Sequence, residues 1–321
     1  MDNIIGRSLE ETKDLISKGA DINFKIYSGE NALFFSDYET TEWLIKNGID
    51  LYCENKNGNN ALFYSEGDCL NLLIESGLNV NHLNFKNENA LFYVHDVESF
   101  DILMKNGIDI NQVNKDGDNM LLNLLPIASD KEDLINRIVQ SNIDINHINE
   151  KGHNALFIGG YQYAQLFIDN GIDIEHVDYD GNNIVLFVLK NFPFSNNYKM
   201  IELLINNGAS IDSKNYEGET PILFINNNEL MQLFIDKGVD YHQSAIIAKF
   251  IKDDNIDMVK WLLNKGVDIQ TRTIKGYSLL ALAESNEMIK FLIDSGIKCE
   301  EYDLRFCDQE MLDYYKNKSD D

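Results

Sequence analysis

The chain of 321 residues has few of the features that divide, cross-link or anchor a protein. It contains three prolines, and no stretch rich in proline, glycine or serine separates one part from another. Four cysteines form no Cys-x-x-Cys pair and are too few to staple so long a chain, so we expect reduced thiols at Cys53, Cys69, Cys299 and Cys307. No apolar run approaches the ~18 residues of a membrane-spanning helix, and no signal peptide is visible. These absences predict a soluble, cytoplasmic protein without a membrane segment.

The usual catalytic signatures are absent too. The sequence has no GxSxG, HExxH, P-loop or GxGxxG motif. Its carboxylates are abundant, but nothing in the sequence places them in a buried, paired setting that would suit acid–base catalysis. The sequence therefore predicts a protein that is not an enzyme and has no metal or cofactor.

Basic residues are scarce. The 27 lysines and arginines face 53 aspartates and glutamates, which leaves a formal net charge of −26. Such a surface repels nucleic-acid phosphates and anionic membranes, and it accelerates encounters with basic proteins. We expect a basic protein partner and no direct binding to nucleic acid.

What the chain has instead is a phrase that recurs ten times: a glycine, an aliphatic residue or alanine, usually an aspartate, a second aliphatic residue and often an asparagine. It begins at Gly19, Gly48, Gly77, Gly107, Asn142, Gly171, Gly208, Gly238, Gly266 and Gly296. A period of about 30 residues is typical of stacked repeats, in which each unit buries its apolar face on its neighbours. A repeat array has a large surface and no natural active-site cleft, so binding is the favoured function.

The segment 57–81 illustrates one unit. Apolar residues at positions 69, 70, 72, 73 and 74 predict an amphipathic helix, and Gly77 ends it because glycine reaches the left-handed conformation without strain. Asparagine tolerates that conformation next best, which explains Asn142 in one copy. A turn-rich cluster such as 114–118 follows, and then a short helix for which Asn119 or Asn154 can serve as N-cap.

These residues resemble the ankyrin repeat. Its Thr-Pro-Leu-His pattern is similar to Thr220-Pro221-Ile222-Leu223 and, more loosely, to Asn31-Ala32-Leu33-Phe34 and its copies at 60–63, 89–92 and 154–157. The resemblance implies an all-α solenoid of about nine to ten helix-turn-helix units with short β-hairpin or loop fingers. It implies a single domain, with an N-terminal cap or half repeat at 1–27, repeats at 28–299, and a C-terminal cap and acidic tail at 300–321. The Asn/Ile/Lys-rich style is similar to that of bacterial or large-virus members.

Departures from the family pattern carry expectations of their own. Most units are about four residues shorter than the usual 33, so the first helix of each should lack about one turn. Extra residues lie at 125–133 and 190–199, the finger between Gly238 and Ser244 should be cut back, and Gly159-Gly160 should form a bend. Histidines recur at one place in the unit, at 82, 147, 176 and 242. Repeats about 10 Å apart cannot share a zinc ion through them, so structural histidines are expected.

Two sets of residues are candidates for partner binding. The first is a row that follows the Ala-Leu-Phe phrase, on the concave side of the first helices if the resemblance holds: Phe35, Tyr64, Tyr93, Ile158, Phe187 and Phe224. Aromatic anchors are typical of protein interfaces, but the shortened helix could equally turn these side chains into the core. The second is a set of loop tips, for which the alternative is a solvated loop: Tyr27, Glu30, Lys56, Asn59, Lys86, Glu88, Asp116, Asp118, His153, Asp180, Asn182, Glu217 and Glu219.

Together these features predict a binding protein whose concave face and acidic finger tips hold another protein. The concrete version is an inhibitor or immunity protein that occludes a basic toxin or nucleic-acid-processing enzyme. An adaptor or scaffold that acts in a host cell or for a virus is one alternative, and mimicry of nucleic acid by rows of carboxylates is another.

Overall fold

The computed structural model describes residues 3–192, 197–273, 276–298 and 309–319. Across these residues the regular structure is helical, apart from two isolated bridges, Val177 with Asn183 and Arg272 with Ser278. The all-α prediction is confirmed. The chain divides into two compact units, Met1–Asp173 and Ile174–Asp321. Residues 193–196, 299–308 and 320–321, which include Cys299, Cys307 and parts of the long segment 190–199 and of the tail, lie outside the described part.

The first unit contains seven α-helices and four 3-10 turns among its described residues. The helices are α1 (Leu9–Ser17), α2 (Tyr38–Lys46), α3 (Gly67–Glu75), α4 (Val97–Lys105), α5 (Met120–Leu124), α6 (Glu132–Val139) and α7 (Ala155–Asp169). The 3-10 turns are Ala32–Phe34, Ala61–Tyr64, Ala90–Tyr93 and Leu125–Ile127. The last of these turns and the start of α6 account for the extra residues at 125–133.

The second unit is built in the same way. Its described α-helices are α8 (Ile184–Asn191), α9 (Tyr198–Asn206), α10 (Asn228–Asp236), α11 (Ser244–Lys252), α12 (Ile256–Asn264), α13 (Asn286–Asp294) and α14 (Gln309–Ser319). Its 3-10 turns are Pro221–Phe224 and Leu279–Leu282.

The first helix of most repeats is reduced to a single 3-10 turn, as the missing residues predict. The turn begins at an asparagine whose side-chain oxygen accepts a hydrogen bond from the backbone N–H two residues on, at 3.1 Å for Asn31, Asn60 and Asn89. The amide of the same side chain extends to the next repeat, where Asn31 donates to the Asp50 carbonyl at 2.8 Å and Asn89 to the Asp109 carbonyl at 2.7 Å. One buried residue thus starts a helix and fixes the neighbouring repeat.

The second helices form the core. Most are nine residues long, and each turns one apolar face inward, so that Leu44, Leu73 and Leu103 are completely buried. Within the first unit α1 to α4 pack in chain order, each against the next. Burying one such leucine contributes about 1.5 to 3 kcal/mol, and the contact passes from repeat to repeat.

Backbone conformation confirms the predicted helix ends. Asn142 has a φ of 59° at the place that glycine takes in other repeats. Gly160, with a φ of 61°, bends α7 between the two helices of its repeat, as the Gly159-Gly160 pair predicts. Residues 238–243 form no finger, and α11 begins directly after them as a full first helix of nine residues.

Asn142 allows a direct test of the left-handed helix end. Replacing it with alanine should lower the free energy of unfolding by about 1 kcal/mol, because a Cβ without a compensating polar group is strained at positive φ. Asn142→Gly is the matched control and should melt close to the parent protein in a circular dichroism scan. An alanine variant as stable as the glycine variant would contradict the assignment.

Candidate functional site: aromatic fingers on an asparagine ladder

The loops between repeats are five-residue turns, which we call fingers and number by position 1 to 5. The backbone N–H of position 1 donates to the carbonyl of position 5, at 2.9 Å in both the 55–59 and 84–88 fingers. Position 4 has positive φ and is usually glycine, as at Gly58. The described fingers are 26–30, 55–59, 84–88, 114–118, 149–153, 178–182 and 215–219.

Position 1 is usually an asparagine that shapes its own finger. The side-chain oxygen of Asn84 accepts hydrogen bonds from the backbone N–H groups of Lys86 at 2.9 Å and Glu88 at 3.0 Å. Asn55, Asn114, Asn149 and Asn215 make the same pair of bonds in their fingers. Because asparagine side chains readily bond the backbone two residues on, this residue type closes the turn without strands.

The amide group of position 1 extends to position 5 of the preceding finger. Asn55 donates to Glu30 at 2.8 Å and Asn84 donates to Asn59 at 2.9 Å. The same bond joins Asn149 to Asp118 at 3.0 Å and, in the second unit, Asn215 to Asn182 at 2.9 Å. We call this row of position 1 and position 5 side chains the asparagine ladder.

The ladder corrects one prediction. Glu30, Asn59, Glu88 and Asn182 were expected at exposed loop tips, but they occupy position 5 and are buried, with only 1% of Asn59 and 6% of Glu88 accessible. Each points inward because it accepts the amide of the next finger or bonds within its own finger. A buried polar group needs such partners, and these residues have no surface left to offer a binding partner.

The other predicted tip residues are exposed or half-buried. Tyr27, Lys56, Lys86, Asp116, Asp180 and Glu217 are exposed, whereas Asp118, His153 and Glu219 are half-buried at position 5. The Glu219 carboxylate lies 2.6 Å from the Lys190 ammonium. Their hydrogen bond is the main reason that the pKa of Glu219 is lowered and that of Lys190 is raised.

Tyr64 and Tyr93 join the predicted concave row to the ladder. The Tyr93 hydroxyl donates to Glu88 at 2.8 Å and accepts from Asn84 at 3.1 Å. The Tyr64 hydroxyl accepts from Asn55 at 3.0 Å. Burial, followed by the bond to Glu88, raises the pKa of Tyr93 to about 12. The two candidate sets therefore meet at the base of the fingers.

The concave row combines surface and core. Each tyrosine ring packs on the phenylalanine of the preceding repeat, with centroids 5.4 Å apart for Tyr64 and Phe34 and 5.2 Å for Tyr93 and Phe63. Phe35 and Tyr64 are nearly half exposed. The remaining members are half-buried: Tyr93, Ile158, Phe187 and Phe224.

Position 2 carries exposed aromatic residues, three of which sequence reasoning missed. Tyr27 is 92% exposed, Phe85 62%, Tyr179 62% and Tyr216 78%. Of these fingertip aromatics only Tyr27 was predicted. The sequence contains a signal for them, because each of these aromatic residues directly follows position 1 of a finger. The position of a residue within its finger can be assigned only once the asparagine ladder is known.

Three of the fingertip aromatics, Phe85, Tyr216 and Tyr27, are exposed but held in place. The Phe85 ring covers position 4 of the preceding finger, where a Cβ on Gly58 would lie 2.7 Å from it. Tyr216 covers Gly181 in the same way, at 2.8 Å. Backbone hydrogen bonds also join successive fingers. The N–H of Phe85 donates to the carbonyl of Asn57 at 2.9 Å, and the N–H of Tyr216 donates to the carbonyl of Asp180 at 3.1 Å. The Lys56 ammonium lies 3.3 Å from the centre of the Tyr27 ring, a cation–π contact.

The recurring histidines have structural roles where their bonds are seen. The Nε2 atoms of His82 and His147 bond the carbonyls of Gly58 and Gly117 in the preceding finger, at 2.8 and 2.7 Å. Within the described ranges no group of three or more histidine, cysteine, aspartate or glutamate side chains could hold a metal ion. Cys53 and Cys69 are free thiols. Over those same ranges, no helix has the length and apolar character needed to cross a membrane.

Residues 222–303 match the family model of ankyrin repeats, in three copies. The chain therefore contains ankyrin repeats. No curated protein sequence matches the chain. Ankyrin repeats are protein–protein interaction modules and are generally not enzymes, so the match indicates that the chain carries a module of this kind.

Tyr93 tests whether the ladder stabilises the repeats. Tyr93→Phe should cost about 1 to 3 kcal/mol, because it removes a buried hydroxyl that Asn84 and Glu88 both bond. The raised folded-state pKa also adds stability that is complete below the unfolded value of about 10 and is lost as pH rises towards about 12. Melting temperatures between pH 8 and roughly pH 11.5 should therefore fall less steeply for the variant. Tyr161→Phe, at an exposed tyrosine, is the control. Equal loss in both variants would refute a stabilising ladder.

Proposed function

We propose that this ankyrin-repeat protein occludes a basic partner protein, which it contacts with its fingertip aromatics. The observation that carries the proposal is that these side chains are exposed, while Phe85 and Tyr216 are held against the preceding finger and Tyr27 is held by Lys56 of the next finger. Aromatic side chains contribute much of the binding energy in protein interfaces, and an anchor that is already ordered loses little entropy on binding. The finger tips are therefore the favoured contact surface, ahead of the half-buried concave row.

The overall charge of the chain supports a basic partner. The fingers expose acids, among them Asp116, Asp180 and Glu217, together with lysines such as Lys56 and Lys86, so the negative charge is that of the chain as a whole. With 53 acidic and 27 basic residues in the chain, the field at the fingers reflects a strong overall negative charge. Such a field steers a positively charged protein to the surface, after which the aromatic side chains hold it.

An inhibitor or immunity protein fits this arrangement best, because a broad surface that carries both charge and anchors can cover the working face of a toxin or a nucleic-acid-processing enzyme. An adaptor or scaffold would use the same surface with a different partner.

Mimicry of nucleic acid is less well supported. Aspartates recur at one place in successive repeats, and one oxygen of each accepts a backbone N–H two residues on, as at Asp21, Asp50, Asp109, Asp144, Asp240 and Asp268. Repeats packed about 10 Å apart give one such charge per step, whereas duplex DNA carries one per ~1.7 Å of its axis. These carboxylates serve the turns of the repeat.

Affinity capture with the full chain, followed by mass spectrometry, should yield a basic protein. Phe85→Ala and Tyr27→Ala should each weaken the purified complex by about 2 kcal/mol, or roughly 30-fold, with little change in melting temperature. Tyr161→Ala, which removes an exposed aromatic outside the fingers, should bind normally. Loss of binding in Tyr161→Ala alone would place the interface elsewhere.

Association with that partner should slow steeply between low and physiological salt, while dissociation changes less. Electrostatic steering acts on the encounter and is screened over about 8 to 10 Å at physiological ionic strength. Stopped-flow or biolayer interferometry measures both rates. An association rate that is indifferent to salt would argue for an apolar partner and against the toxin-inhibitor version.

A further inference from the structure

One repeat of the second unit lacks its finger. Elsewhere a finger precedes the first helix, but residues 238–243 run directly into α11. The next finger closes with a 2.9 Å bond from the Thr273 N–H to the Tyr277 carbonyl, and no finger of the preceding repeat lies alongside it. The asparagine ladder is therefore interrupted at this point.

A groove of about 560 Å³ occupies the place next to the missing finger. Its lining comes from three successive first helices: the turn Pro221–Phe224, α11, and the turn Leu279–Leu282, which pack in that order. Leu223 and Leu282 lie on either side, and α11 contributes the small side chains of Ala245 and Ala248. Small residues leave room that longer side chains would fill, so the groove is mostly apolar and open.

The charges of the groove are opposite to those of the chain. Lys249 and Lys252 line it, and none of its lining residues is an aspartate or glutamate, although acids outnumber basic residues by 53 to 27 in the sequence. Lys249 pairs with Asp253, the residue that follows α11. Lys252 is exposed. A lysine beside an apolar groove favours an occupant that carries a carboxylate.

The dimensions favour a peptide over a compact ligand. Three first helices about 10 Å apart span ~20 Å, the length of about six residues of extended chain. We infer that this groove binds a short apolar peptide segment with an acidic side chain, which Lys252 recognises. The inference rests on the proposed function, because it takes the segment from a protein partner. It adds a second contact, which prefers an acidic side chain, whereas the proposed fingertip contact prefers a basic partner.

The test needs no partner. A phage-displayed library of random 12-residue peptides is selected on the immobilised full chain, and enriched peptides are synthesised and titrated by fluorescence polarisation. Enriched sequences should combine apolar residues with an aspartate or glutamate. Ala245→Trp, at an exposed position that lines the groove, should abolish their binding. Lys252→Glu should weaken it ~10-fold, as expected for loss of a charged hydrogen bond.

Controls separate charge from folding. Lys237→Glu makes the same charge change at an exposed lysine that does not line the groove, so it should leave peptide affinity unchanged. Replacing the peptide carboxylate with an amide should weaken binding to the parent protein ~10-fold, with no further loss in Lys252→Glu. Melting curves establish that each variant is folded.

Two outcomes would overturn the inference. One is a selection whose peptides bind Ala245→Trp as well as the parent, and the other is an affinity that depends on neither Lys252 nor the peptide carboxylate. Because peptides are used alone, failure here leaves the fingertip proposal standing. Conversely, failure of the Phe85 and Tyr27 variants to weaken partner binding leaves the groove result intact.

Discussion

The structure depends on buried asparagine amides that bond across repeats. A carboxamide has a donor and an acceptor at one end of a short side chain, so at position 1 of a finger it can close its own turn and reach the finger before it. Asn84 does both, through Lys86 and Glu88 on one side and Asn59 on the other. Since a buried amide without partners costs about 1 to 3 kcal/mol, a repeat that slipped in register would lose these bonds together.

This constraint shapes the surface as well as the interior. Because positions 1 and 5 turn inward, position 2 is left outside, where Phe85 and Tyr216 lie over the glycine of the preceding finger. The same register brings the Tyr93 hydroxyl to Glu88. Where residues 238–243 form no finger, no finger of that repeat lies over the next one, and an apolar groove lined by α11 is open instead. The exposed aromatic side chains and the open groove both follow from the way in which the fingers stack on one another.

The sequence predicts the local features of the fold well. Helix caps, the positive φ of Asn142 and the bend at Gly160 follow from preferences of residues near each other in the chain. The burial of Glu30 does not, because its partner Asn55 is 25 residues away and their bond requires the stacking itself. A glutamate in a glycine-containing turn ordinarily indicates a side chain that is exposed to solvent. The candidate site was therefore predicted only in part, since inward and outward polar residues look alike in sequence.

Specificity for a partner should reside in the finger positions that the ladder does not use. Positions 1 and 5 are limited to side chains that can donate or accept across repeats, and position 4 to residues that tolerate positive φ. Position 2 has neither limit, and its occupants are correspondingly diverse: Tyr27, Lys56, Phe85, Lys115, Glu150, Tyr179 and Tyr216. An aromatic ring, an ammonium and a carboxylate can all be presented there without disturbing the bonds beneath, because none of those bonds needs the position 2 side chain. Because the position 2 side chain takes no part in the asparagine ladder, it can vary while the scaffold of the repeats stays the same.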